Sequence, residues 1–324
     1  LYSIVDRMYI GHMKGVGSLA LTGLGLTMPL VSMIGAFAAL CGTGGGPLCS
    51  IARGRGDLES AEELMGNAFA LLLILGAVIT AAFSAFLRPI LFFFGATDAT
   101  IVYAAEYARI YVLGTVFVML ALGMNYFINA QGFAGTGMLT VAAGAVINIV
   151  LDPIFIFALD MGIAGAAWAT FISQACSAAW VLCFLLGKKA ILKLRLRCMR
   201  LRWSVLGKML ALGITGFVMQ FTNGVVQIAC NVELRAFGGD LFVGAMTVLN
   251  SVREVLFMII HGLSNGAQPV LGFNYGAGKP DRVRQGVRFM TAAAFAYAAL
   301  ATAVTQLFPA QLTMVFNDDP ALLA

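Results

Sequence analysis

The sequence predicts an all-helical, polytopic membrane protein. Three features carry that prediction: too few charges for a water-facing surface, repeated uncharged runs long enough to cross a bilayer, and basic loops confined to one side. Of 324 residues, 60% are hydrophobic and 11% charged, whereas a soluble domain has about 25% charged and 45–50% apolar residues. Soluble enzymes, disordered chains and collagen-like chains are excluded on that ground. Six cysteines without framework spacing exclude a disulfide-stapled secreted module.

Uncharged runs extend from Gly15 to Ala52, Leu64 to Leu87, Ile110 to Leu151, Met161 to Gly187, Met209 to Val232, Val255 to Gly278 and Phe289 to Asn317. A span needs about 20 apolar residues to cross roughly 30 Å of hydrocarbon. These runs are apolar on both faces, unlike the alternating strands of an outer-membrane barrel. The first element, 1–10, is a fragment of a helix, and the chain opens on Leu1, so the N-terminus is expected to be cut. Spans follow at 19–42, 64–93 and 101–130. The glycine-dense turn after Gln131 divides the longest run and starts a span at 138–158. Further spans are expected at 163–186, 205–234, 241–273 and 286–308, giving eight and one partial.

Two basic residues fall in the loop at Arg53 and Arg55, seven in 187–204 and four in 274–288, against Lys14, Arg88 and Arg235 opposite. The positive-inside rule places the basic loops in the cytoplasm and the protein in the cell (inner, cytoplasmic) membrane. Topology and anionic headgroups then explain the net charge of +5, and no nucleic-acid partner is expected. Offsetting the chain by 222 residues superposes Gly44 on Gly266, Pro47 on Pro269, Gly54 on Gly276, Gly56 on Gly278 and Phe94 on Phe316. Six helices per unit make a parallel repeat of the kind common in secondary transporters. The expected organisation is an N-terminal bundle over 1–204, its first helix incomplete, with a basic loop at 187–204. Residues 205–324 then form the first half of a second bundle, with three more helices to follow.

Ionisable groups in a bilayer are costly, about 2.5–3.5 kcal/mol for a central Asp on insertion scales. Glu106 and Arg109 lie a turn apart and are expected to pair, and Lys208 is placed to snorkel. Asp152 follows Asn148 by four residues on one helix face and precedes Pro153, while the next helix offers Thr170 and Gln174. This cluster is either an ion site or a hydrogen-bonded knot tying helices together. Asp6, near a helix end, is either an interfacial residue paired with Arg7 or a second intramembrane carboxylate.

Gln220, Asn223, Gln227 and Asn231 form one polar stripe, and Asn250, Glu254, His261, Asn265 and Gln268 another. Such stripes glue helices or line a wet cavity, and their length favours the cavity. No cysteine set has metal-ligand spacing, and Gly42-Thr43-Gly44-Gly45-Gly46 lacks the lysine of a phosphate cradle. No enzyme and no cofactor are expected.

Four segments are similar to one known family: Val5-Asp6-Arg7-Met8-Tyr9-Ile10-Gly11, Asn148 through Pro153, Gly266-Ala267-Gln268-Pro269 and Gly272-Phe273-Asn274-Tyr275-Gly276-Ala277. Together they resemble the multidrug and toxic compound extrusion (MATE) family of cation-coupled efflux transporters, over essentially the whole chain. The resemblance implies two pseudo-symmetric six-helix bundles facing a central cavity, with helices one (partial) to nine of twelve present here. It implies a Na+ or H+ site at Asp6, Asn148, Asp152 and Thr170. It also implies an acidic counterpart in the second bundle, Glu254 in preference to Glu233.

The leading reading is a monomeric antiporter in the lipid bilayer. Na+ or H+ entry would drive export of a small amphipathic, cationic drug or toxic compound by alternating access. The alternative, a flippase for lipid-linked oligosaccharide or lipid, would need a basic cavity. A receptor or scaffold without transport would use the buried polar groups only as glue.

Overall fold

Glycine and proline, which ought to punctuate helices, are carried inside them here. The structure is a computed structural model and describes residues 9–10, 17–96, 98 and 100–307. The first helix expected over 1–10 therefore lies, but for 9–10, outside the described residues. Helix α1 (Gly17–Gly54) runs twelve residues past the expected end at 42, straight through the glycine run and Pro47. The glycines are a packing face: a methyl on Gly44 would fall on the Met209 carbonyl, and the Tyr126 ring lies over Gly42. Close helix approach outweighs the roughly 1 kcal/mol propensity cost per glycine.

Helix α2 (Leu58–Phe93) begins six residues earlier than expected, because the Asp57 carboxylate caps it by accepting from the Ser60 N–H at 3.0 Å. The single span expected over 101–130 is instead two helices, α3 (Ile101–Leu113) and α4 (Thr115–Ala130), bent by 56°. The break falls at Gly114, whose N–H turns back to the Tyr111 carbonyl and where the Phe171 ring leaves little room for a side chain. Helix α5 (Ala134–Pro153) ends in a π turn at Ile154–Ala158, so the bend expected from Pro153 appears as a widened last turn. Helix α6 (Gly162–Leu186) matches its expected bounds within a residue.

The spans expected at 205–234 and 241–273 form one unbroken helical run, α7 (Trp203–Gly276). Its 74 residues would measure about 110 Å if straight. Its neighbours show that it is not. Met209, Gly213 and Phe217 meet Gly44, Leu40 and Phe37 in descending order along α1, whereas Pro269, Gly272 and Ala277 meet Gly46, Ser50 and Gly54 in ascending order. The run therefore reverses between 224 and 264, the interval holding the expected break. Two legs exist as predicted, without the loop. Helix α8 (Pro280–Leu307) starts six residues before the expected 286 and returns along the second leg, the Tyr297 hydroxyl donating to the Leu256 carbonyl.

Among the described residues six helices are long and apolar enough to cross a membrane, or seven if the bent α3–α4 pair counts as one span. Eight were expected. The difference lies in the second leg of α7, where much of the expected 241–273 span has no described side chains.

The internal repeat is visible in atomic detail. After α1, the Arg55, Gly56 and Asp57 N–H groups donate to Ile51, Arg53 and Ala52; after α7, those of Ala277, Gly278 and Lys279 donate to Phe273, Tyr275 and Asn274. Each bond is matched by another 222 positions on. Gly56 and Gly278 hold the left-handed φ values, +81° and +67°, that the turn requires. The two copies also touch reciprocally. A methyl on Gly54 would strike the Phe273 carbonyl, one on Gly276 would strike that of Ile51, and Ser50 meets its own equivalent, Gly272. Such reciprocity is the mark of a two-fold contact. Arg53 reinforces it, donating to the Ala130 carbonyl while its guanidinium lies 5.4 Å from the centre of the Phe273 ring.

All three basic loops gather at this end. Segment 187–202 lies along α2 as a strap, with Leu192 and Leu194 buried. Arg195, Arg197 and Arg202 pair with Glu62, Glu59 and Glu63 at 3.1, 3.0 and 2.6 Å. Buried Asn67 donates to the Cys198 carbonyl and accepts from the Arg202 N–H. The expected Glu106–Arg109 pair is not formed; both side chains stay exposed on α3.

Candidate functional site

The seam between α5 and α6 carries a buried polar cluster. Small residues make it possible: Gly144 lets Ser177 approach, and Ser177 donates to the Thr140 carbonyl at 3.2 Å. Further along, Asn148 and Asp152 are completely buried and Thr170 nearly so. The Asn148 amide donates to Asp152 Oδ1 at 3.3 Å and to Thr170 Oγ1 at 3.4 Å. The four-residue spacing and the Thr170 position on the next helix thus bring three predicted residues together. Asn148 Oδ1 is buried and accepts no hydrogen bond from the described residues. Carboxylate, amide and hydroxyl oxygens in an apolar surround suit a small hard cation or a proton.

Asp6 lies outside the described residues. The nearest described landmarks along the chain are buried Ile10 and Tyr9, whose ring stands edge-on to Phe157, within the π turn, at 6.2 Å.

The predicted C-terminal set lies only partly among the described residues. The side chains of Gln227, Asn231, Asn250 and Glu254 lie outside the description. Gln220, Asn223 and His261 are exposed, Gln220 reaching toward Gly35 and His261 standing 6.4 Å from the Phe257 ring.

A cavity of about 230 Å3 does open where α1, α4, α5 and the second leg of α7 meet. Asn265 and Gln268 line it from the second stripe, facing Ser50, Asn125, Tyr126 and Asn129. The last four were missed in the sequence, although Asn125 and Asn129 have the same four-residue spacing as Asn148 and Asp152.

The family model described as MatE matches residues 1–154 and 215–324. The multidrug export protein MepA of Staphylococcus haemolyticus (strain JCSC1435) is 26% identical over 325 aligned positions, covering 100% of this chain and 71% of that protein. A solved MOP superfamily transporter from Pyrococcus furiosus, described as having a binding pocket of reverse polarity that suggests a different function, superposes with a TM-score of 0.91 at 25% identity. It covers 99% of this chain and 71% of its own. An outward-facing multidrug resistance MATE family transporter gives a TM-score of 0.91 at 25% identity over 99% of this chain and 70% of that one.

Proposed function

The chain belongs to the MATE family of multidrug export transporters, and from that membership we propose that it is a cation-coupled antiporter exporting amphipathic compounds by alternating access. One observation carries the coupling: the fully buried Asp152, held by Asn148, whose amide also donates to Thr170. A bare carboxylate in hydrocarbon is unfavourable, so the site is stable when it takes up a proton or Na+. Loading and unloading the ion change the charge of the N-terminal lobe. That change gives the two conformations different stabilities, as any ligand-driven switch requires.

Asp6 completes the site in this proposal. Tyr9, three residues after Asp6 in the sequence, packs on Phe157, five residues after Asp152. One charge crossing 100 mV supplies about 2.3 kcal/mol, enough for roughly fifty-fold accumulation.

The lobes are 1–204 and 205–324, a division supported by the strap that fastens 187–202 to α2 before Trp203 starts α7. The basic end faces the cytoplasm of the cell membrane by the positive-inside rule, and the protein acts as a monomer without further cofactor. The flippase alternative calls for a basic cavity, and the polar lining of the described cavity is amides and hydroxyls. Ethidium efflux from cells producing the transporter tests the site. Asp152→Asn should abolish energised export, and undiminished export would refute the assignment.

A further inference from the structure

We propose that the cavity between the lobes is a subsite for an uncharged, hydrogen-bonding group of the transported compound, such as a carboxamide or hydroxyl beside a ring. The proposal rests on the export reading and concerns what the exporter selects. At about 230 Å3 the cavity is smaller than the roughly 300–1,000 Å3 that holds a drug-sized molecule, so it receives one part of a ligand. Its polar lining is Ser50, Asn125, Tyr126, Asn129, Asn265 and Gln268, with neither a carboxylate nor a basic side chain among the described lining residues.

The hydrogen-bond inventory indicates what is missing. The Asn125 amide spends both hydrogens, on the Gly137 carbonyl at 2.9 Å and Thr140 Oγ1 at 2.7 Å, and its oxygen accepts from Asn129 at 3.2 Å. These bonds fix the N-terminal wall and leave Asn129 one hydrogen to give. Ser50 donates to Gly46 at 3.1 Å and keeps an acceptor oxygen. Among the described residues no hydrogen bond uses the Gln268 or Asn265 amide or the Tyr126 hydroxyl. Unspent donors and acceptors in a part-buried cavity reward a ligand that brings both kinds. A cationic centre would find dipoles and one aromatic face, without a counter-charge.

The amides come from both lobes on either side of the two-fold contact, since Gln268 stands 222 positions after Gly46. A group bridging Gln268 and Asn129 is held only while the lobes stay together here and is released when they part.

Binding of chloramphenicol, a neutral amide with two hydroxyls, and of ethidium, a permanent cation without a carbonyl, to the transporter in nanodiscs tests this. Losing one hydrogen bond with shape kept, Gln268→Leu should weaken chloramphenicol roughly three- to ten-fold and ethidium less than twofold. Gln268→Glu should weaken chloramphenicol and strengthen ethidium, a gain that misfolding cannot produce. No chloramphenicol binding by the parent, or equal effects of Gln268→Leu on both compounds, would overturn the subsite. Export that ignores Asp152→Asn would instead overturn the antiport reading and leave the subsite standing.

Discussion

Gly276→Ala should pry open the basic end of the molecule. The added methyl falls on the Ile51 carbonyl oxygen, with the Ile51 carbonyl carbon at 2.9 Å and its Cα at 3.0 Å. All three are backbone atoms, so no side chain can turn away, and α1 and α7 must part by about an ångström or more to restore van der Waals separation. Overpacking of this kind costs about 1–3 kcal/mol. If alternating access opens this contact, the cost falls only on the closed state and raises the open population roughly 5- to 150-fold.

Ser50 reports it, being 1% exposed and one turn inside the contact. In a background without the native cysteines, Ser50→Cys should react with an impermeant maleimide from the basic side faster by that factor once Gly276→Ala is added. Gly54→Ala should do the same. The double variant should fall short of additive, because one separation relieves both clashes. A labelling rate within twofold of the parent would refute the reasoning.

The strap yields two contrasting predictions. Asn67→Ala removes both of its bonds to the strap from a fully buried site, at about 1–3 kcal/mol, and should speed maleimide labelling of Cys198, measured by mass spectrometry. Burial, and Glu62 beside it, push the Cys198 thiol up, so it reacts slowly while the strap is docked. Arg197→Ala breaks a pair whose partners are 77% and 72% exposed and should leave Cys198 labelling and thermal stability unchanged. Asp57→Ala should cost about 1 kcal/mol through the lost cap of α2, seen as a lower thermal midpoint.

Fold class and lobe symmetry were legible in the sequence because composition and the repeat are one-dimensional signals. The hydrogen bonds around Gly56 and Gly278 confirm the repeat as a repeated turn. Helix ends were less legible: α1 continues through Gly42–Pro47 because Met209 and Tyr126 pack on those glycines, and contacts so distant leave no local trace. Gly114 read as helix interior for the same reason, the Phe171 ring beside it being distant in sequence. The Asn148–Asp152–Thr170 cluster was readable because helical spacing and the cost of an intramembrane carboxylate point to the same residues. Asn125 and Asn129 carry no charge and so raised no such signal; their place is set by hydrogen bonds between α4 and α5.

The central claim is that an ion at Asp152 drives export. In proteoliposomes carrying the transporter, an imposed Na+ or proton gradient should drive counter-flow of ethidium that collapses when the gradient is dissipated and is abolished by Asp152→Asn. Ethidium flux that is indifferent to both gradients, or undiminished in that variant, would contradict it.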